Sequence, residues 1–284
     1  MSASTPKIGL VLGGGGSRGI AHIGVLDVLQ DANIHIDFIV GTSMGGIIGA
    51  LFAAGIDPDI MAERISDLVG GNLFVRNAFS ARARQAMVRK YLEPILADKT
   101  FADLNIPLTV MAVDVIHGQE ISLNEGELIP ALLATSAVPA VFPTVEINGL
   151  VLADGGVIDS LATHVGYAQN PDILIAVDVY PPLENDTSWH DPLSDIMGFA
   201  SPLSLFSIND MPSMLASIWR SVRIMTWYLH EKRLQEYPPH ILLRPAVESY
   251  GSLDFRDLEG PLVAGADAML EQLPKLQALI AQYA

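Results

Sequence analysis

The chain contains no cysteine in 284 residues, which excludes disulfides and thiol catalysis and leaves the redox compartment open. Positive charge is scarce: 16 Lys and Arg stand against 32 Asp and Glu, a formal net charge of -16. That balance disfavours phosphate-rich nucleic acid as a partner and sets the protein against strongly anionic membranes. Charge of either sign is sparse at 17%, while half of the residues are hydrophobic. Such a composition excludes disorder as a global description and can fill a sizeable core. Residues 1–6 lack a basic n-region, and the apolar run that follows is broken by four glycines and Arg18, so it does not read as a signal peptide. Two uncharged runs approach membrane-spanning length. The first, 39–56, holds five glycines and the second, 128–145, holds Pro130, Pro139 and Pro143, so both read as buried structure. Repeats, low-complexity tracts and clear linkers are absent, and a single cytoplasmic domain over 1–284 is expected.

What is present is a short apolar strand, Ile39-Val40, running into Gly41-Thr42-Ser43-Met44-Gly45 and then into apolar residues at helical spacing, Ile47, Ile48, Leu51 and Phe52. A serine at the tip of a sharp strand-to-helix turn leaves no room for neighbouring side chains, which is the need that Gly41 and Gly45 meet. Ser43 would then sit at a helix N-terminus, where the dipole favours developing negative charge. A fortuitous glycine-rich turn is the bland alternative, and a second glycine cluster weighs against it.

That cluster ends an earlier strand, 8–12, and reads Gly13-Gly14-Gly15-Gly16-Ser17-Arg18-Gly19 before a helix carrying Val25, Leu26 and Leu29 on one face. Together with the strand entering the elbow this makes a βαβ unit. Successive glycine N–H groups at a helix start form an anion-binding nest. Gly14-x-Gly16-x-x-Gly19 also satisfies the dinucleotide fingerprint, so a nucleotide-dependent oxidoreductase competes. The second strand, however, ends in Gly41-Thr42-Ser43 where a ribose-binding acid belongs, and Asp37 lies at the strand's opposite end. The glycines therefore read as an oxyanion hole for Ser43, with N–H donors on Gly14, Gly15 and Gly16.

A serine needs a base. The histidines His22, His35, His117, His164, His190, His230 and His240 fall in no recognisable motif, and a serine after only the second strand fits the usual triad architecture poorly. Asp114, Asp154 and Asp178 each fall near the carboxyl end of an expected strand. Asp154 is preferred because Gly155 and Gly156 give its carboxylate close access to a neighbour, and burial would raise its pKa toward that of a useful base.

Taken together, Gly14-Gly15-Gly16-Ser17-Arg18-Gly19, Gly41-Thr42-Ser43-Met44-Gly45 and Asp154-Gly155-Gly156 resemble, in order and context, the motifs of the patatin-like phospholipase family, over roughly 7–179. The resemblance implies a three-layer α/β/α sandwich around a mainly parallel sheet. It implies a Ser43-Asp154 dyad without histidine, and acyl-ester hydrolysis of a phospholipid, lysophospholipid, acylglycerol or short-chain ester without metal or cofactor. It also gives Arg18 the task of bracing the oxyanion loop. The chain departs from the family at Asp159-Ser160-Leu161-Ala162, where many relatives carry Asn and Pro. A lipid-binding or regulatory protein that keeps the pocket is the non-enzymatic alternative.

Beyond about residue 181 the likeness fades, and 213–284 is the less typical part. Residues 184–212 mix Asp, Ser and Pro with many apolar side chains and are expected to form a lid or mobile loop over the site. Arg76, Arg82, Arg84, Arg89 and Lys90 gather scarce positive charge, expected on a solvated helix face. Peripheral contact, if made, would be with a neutral or zwitterionic lipid surface; the oligomeric state is not legible.

Overall fold

A computed structural model describes residues 5–70, 80–183, 214–252 and 255–283. Strands β1 (Ile8–Leu12), β2 (Phe38–Thr42), β3 (Leu108–Asp114) and β7 (Ile173–Val177) are buried along their whole length. Their near-continuous apolar runs are what a strand covered on both faces requires. The remaining strands are β4 (Gln119–Leu123), β5 (Val145–Ile147), β6 (Leu150–Asp154) and β8 (Ile241–Leu243). They form one eight-stranded sheet in the order β5-β6-β3-β2-β1-β7-β8, with β4 also paired to β3. Pairs β1/β2, β1/β7, β2/β3 and β7/β8 are parallel, and β4, β5 and β6 pair antiparallel.

The period of two along the strands divides the core between the sheet's faces. Leu10, Leu12, Ile39, Val110 and Ile175 join the larger core with side chains of α1 (Ala21–Asp31), α2 (Met44–Ala53) and α8 (Glu259–Ile280). Val11, Phe38, Val40, Met111 and Ala176 face the other way, toward Ala162, Val165 and Tyr167 around α6 (Thr163–Ala168) and Leu234 of α7 (Met214–Glu236). The result is the expected mixed α/β arrangement, a largely parallel sheet between helices. The last helix is integral to it: α8 lies so close to α1 that a side chain at Gly24 would overlap the Leu262 carbonyl and one at Gly265 the Ala21 carbonyl.

Helices α3 (Pro58–Gly70), α4 (Ala81–Leu96) and α5 (Leu128–Thr135) complete the described elements of that kind. The basic cluster lies largely on α4, and one part of the expectation for it needs correction. Arg84 is not spread into solvent but donates through Nε to the Val141 carbonyl at 2.9 Å, beside a Gln85 bond to the Pro143 carbonyl at 3.2 Å. Arg76 and the whole of 184–212, the expected lid, lie outside the described residues.

The register of β3 positions the site. Met111 pairs with Thr42 of β2 and with Ser122 of β4, whereas Ala112 pairs with Ile121 of β4 and with Asp154 of β6. A strand has two edges, so β2 and β6 occupy the same edge of β3, one after the other. Because β2 runs parallel to β3 and β6 antiparallel, their carboxyl ends point at each other across the Met111-Ala112 step.

Candidate active site

At the end of β2 the backbone turns at Ser43 with φ 54° and ψ -122°, a left-handed conformation that a non-glycine residue adopts at a cost. The turn holds because its surroundings over-determine it. A side chain at Gly41 would come within 2.5 Å of the Gly46 Cα, and one at Gly45 would overlap the Leu12 carbonyl oxygen. The buried Thr135 at the end of α5 adds a clamp, accepting the Ser43 N–H at 3.0 Å while donating to the Met111 carbonyl at 2.5 Å. Helix α2 starts at the next residue, so its positive end faces the Ser43 side chain.

Asp154 closes β6 and is 4% exposed. Its carboxylate accepts the Gly156 N–H at 2.7 Å and interacts with the Ser43 side chain. Burial pushes the acid up to about 6, against the opposing pull of the Ser43 side chain and the Gly156 N–H. Its own N–H is bonded to the Ala137 carbonyl at 3.1 Å. Gly155 packs where a side chain would come within 2.7 Å of the Met111 carbonyl, which keeps β6 tight against β3.

The glycine loop comes alongside from β1. Here one sequence expectation is corrected: the Gly14 N–H is not a free donor, because it is bonded to the Ser160 carbonyl at 2.9 Å. Gly13 is likewise bonded to Val177, so β1 extends its ladder through both residues. Among the described residues the amides of Gly15 and Gly16 have no acceptor. Gly16 has φ +60°, and a side chain there would overlap the Ser252 carbonyl. Arg18, 6% exposed, holds its Nε 3.4 Å from the Gly15 carbonyl and bonds the Ser252 hydroxyl through its guanidinium. Gly19 lies against the Met44 side chain beyond the elbow.

Ser17 donates its N–H to Ser252 at 2.9 Å and its hydroxyl to the Gly251 carbonyl at 2.6 Å. Residues 251–252 thus fill the space over the start of the helix where a dinucleotide's pyrophosphate would sit. Asp37 caps the far end of the sheet, accepting the Ile8 N–H at 2.7 Å. Both observations weigh against the oxidoreductase reading.

No histidine is bonded to Ser43 among the described residues; His190 lies outside them. His22 is fully buried with Nε2 2.7 Å from the Gly13 carbonyl, and burial pushes its pKa down to about 4, so the neutral ring donates there. His117 is bonded to Asp114 and His240 accepts the Leu174 N–H. His230 pairs with Asp178 at 3.1 Å, which accounts for the third candidate carboxylate. Glu120, Asp159 and His164 bring ligand atoms within 4.8 Å of one another, as a metal site would. Arg233, however, donates to both Glu120 oxygens at 2.8 Å, and the cluster is an ion-pair network around that cation.

A strained serine between a buried strand and a helix has the shape of a nucleophile elbow on a mixed α/β sheet. A model of the patatin-like phospholipase family matches residues 10–167, and the chain belongs to that family. It is 33% identical over 184 residues to an uncharacterised NTE family protein of Mycobacterium tuberculosis, covering 62% of this chain and 50% of that protein. It is 29% identical over 258 residues to the lysophospholipase nte1 of Aspergillus fumigatus, covering 87% of this chain and 17% of that one. The chain therefore spans half or less of the length of these curated relatives. A structure of human GIVD cytosolic phospholipase A2 with methyl gamma-linolenyl fluorophosphonate matches with a TM-score of 0.50 at 12% identity, over 98% of this chain and 59% of that one. At that identity the match concerns the fold alone.

The contacts of Thr135 and Ser160 escaped the sequence reading, which named Ser160 only within the segment that departs from the family pattern. Each residue brings a single hydroxyl without a local signature, placed by a partner distant in sequence. Ser136, next to Thr135, turns its hydroxyl back onto the Leu132 carbonyl.

Proposed function

We propose that this chain is a serine acyl hydrolase of lipid carboxylic esters working through a Ser43-Asp154 dyad. The observation that carries the reading is the meeting of the carboxyl ends of β2 and β6 on one edge of β3, which sets Ser43 beside the buried Asp154, a carboxylate whose pKa is raised to about 6. Above that pH Asp154 is ionised and removes the Ser43 proton as Oγ attacks the ester carbonyl. The Gly15 and Gly16 amides, with the N-terminus of α2, stabilise the tetrahedral oxyanion. Asp154 then returns its proton to the leaving alkoxide, and a water activated by the same carboxylate cleaves the acyl-enzyme. The packing of α8 on α1 supports treating 1–284 as one acyl hydrolase domain.

The substrate class is a neutral or zwitterionic lipid ester, reached at a surface. Support comes from α7, where Ile218, Val222 and Met225 are exposed at helical spacing beside Ile224 and Tyr228, with Met225 and Tyr228 more than 60% exposed. Between Met214 and His230 the charged residues are Arg220 and Arg223, without one of the chain's 32 acids. This helix is tied to the site end of the sheet through the Tyr180-Thr226 hydroxyl pair at 2.8 Å. Among the described residues no helix is long and apolar enough to cross a membrane.

The test is a fluorophosphonate probe and a panel of esters of rising chain length. Labelling should map to Ser43, and Ser43→Ala should lose both labelling and turnover while retaining the wild-type melting temperature. His164→Ala should keep turnover within a few-fold. Appreciable acyl transfer by folded Ser43→Ala would end the proposal.

A further inference from the structure

The segment that departs from the family pattern holds a residue with a specific hold on the oxyanion loop. Ser160 is 4% exposed and contacts Gly14 twice: its carbonyl accepts the Gly14 N–H at 2.9 Å, and its hydroxyl donates to the Gly14 carbonyl at 2.9 Å. The second bond matters for chemistry because of the peptide unit it grips. The Gly14 C=O and the Gly15 N–H belong to one planar trans peptide and point in opposite directions. Fixing the oxygen on Ser160 turns the Gly15 N–H away from Ser160, into a position where it has no acceptor among the described residues. The next peptide is held in the same manner, its Gly15 carbonyl lying 3.4 Å from the Arg18 Nε.

We propose that Ser160 is a positioning residue that orients the Gly15 amide for the oxyanion; the proposal rests on the acyl hydrolase reading above. A glycine-flanked peptide has little steric resistance to rotation. Without the Ser160 hydroxyl the Gly14-Gly15 plane samples orientations that present the carbonyl dipole, not the amide, to the developing negative charge. Ser160 itself touches neither substrate nor reacting atoms. It lies in the same loop as Asp154, held there by the Asp159 N–H bond to the Gly155 carbonyl at 3.0 Å and an Asp159 carboxylate bond from the Leu161 N–H at 2.9 Å. Base and oxyanion donor are thereby kept in one frame.

The experiment compares wild type, Ser160→Ala, Ser160→Cys and Ser160→Thr on a soluble short-chain ester, with melting temperature and fluorophosphonate labelling recorded for each. Loss of a whole oxyanion donor costs about 10²-fold or more in kcat, so a donor left in place but unfixed should cost roughly tenfold to a hundredfold. The expected result is that fall in kcat for Ser160→Ala and Ser160→Cys with KM within about twofold of wild type, and recovery in Ser160→Thr, which keeps a hydroxyl. Cysteine is near in size but a weak donor, so it carries the same expectation if the alanine variant does not fold. Wild-type kcat in a folded Ser160→Ala or Ser160→Cys protein overturns the proposal, as does a fall in kcat that tracks the melting temperature across all three variants. A wild-type protein that neither turns over esters nor labels at Ser43 overturns the acyl hydrolase reading and this proposal with it. Normal labelling and turnover in wild type and in Ser160→Ala overturn only the role of Ser160.

Discussion

Replacing Asp154 by asparagine should remove activity and make the protein more stable at neutral pH. A carboxyl group whose pKa is higher folded than unfolded holds its proton more tightly in the folded state. Ionising it therefore destabilises the fold, progressively as pH rises through the interval between the two values. For Asp154 the interval runs from 3.8 to about 6. At about 1.36 kcal/mol per pH unit the penalty is about 3 kcal/mol above pH 6, about 1 kcal/mol at pH 4.5, and absent below the unfolded value. The group is buried, so solvent screening takes little from that figure. Asparagine keeps an oxygen for the Gly156 N–H and turns its amide toward the Ser43 hydroxyl. One amide hydrogen is left to find a partner, which offsets about 1 kcal/mol or more. Asp154→Asn should thus melt a few degrees above wild type at pH 8, with the gap closing as the pH falls to 4.5. In the same series, wild-type kcat/KM should climb with unit slope to a plateau beginning near pH 6, while the variant stays inactive throughout. Thermal unfolding at several pH values with a parallel pH-rate profile measures both. A variant that melts below wild type at pH 8, or a gap that does not change with pH, would refute the reasoning.

Two further perturbations probe the supports of the site. Thr135→Val keeps the shape of a buried side chain but orphans the Ser43 N–H and the Met111 carbonyl. At about 1–3 kcal/mol for each orphaned group it should lower the melting temperature by several degrees and depress kcat, and an unchanged melting temperature would remove the clamp from the account. The double change Ile218→Glu with Met225→Glu should weaken sedimentation with phosphatidylcholine vesicles and hydrolysis of long-chain esters about tenfold or more, leaving short soluble esters untouched. Unchanged vesicle binding, or a shift in oligomeric state in its place, would show that α7 is not the lipid-facing surface.

Local constraints made the centre of this site legible. The elbow is a steric problem between residues close in sequence, so Gly41, Ser43 and Gly45 carry their own evidence. The buried strands announce themselves because both of their faces must be apolar. Strand β5 did not, since its three residues, Val145 and Ile147 half-buried around the exposed Glu146, span too short a run for any period to show. Helix α4 was legible only as a solvated basic face: Met87, Leu92 and Leu96 are its buried side chains, a thin stripe beneath Arg82, Arg89 and Lys90. The direction of Arg84, toward the Val141 carbonyl, depends on a loop that no local pattern positions.

The same distinction explains why the donor assignment needed revision. Gly14, Gly15 and Gly16 are indistinguishable by sequence, since each offers an unobstructed amide. Their difference arises from the neighbours that β7 and the loop after β6 bring alongside. Val177 and Ser160 engage Gly13 and Gly14 as though β1 continued, and only past that point does the chain leave the ladder with amides to spare. On the reading proposed above, the oxyanion donors are selected by the sheet's register and by residue 160, not by the glycine motif. Since Asp154 and Ser160 share one short loop, a change there should act on the proposed base and on the orientation of the proposed donor together, whereas changes within the glycine run should act on the proposed donor alone.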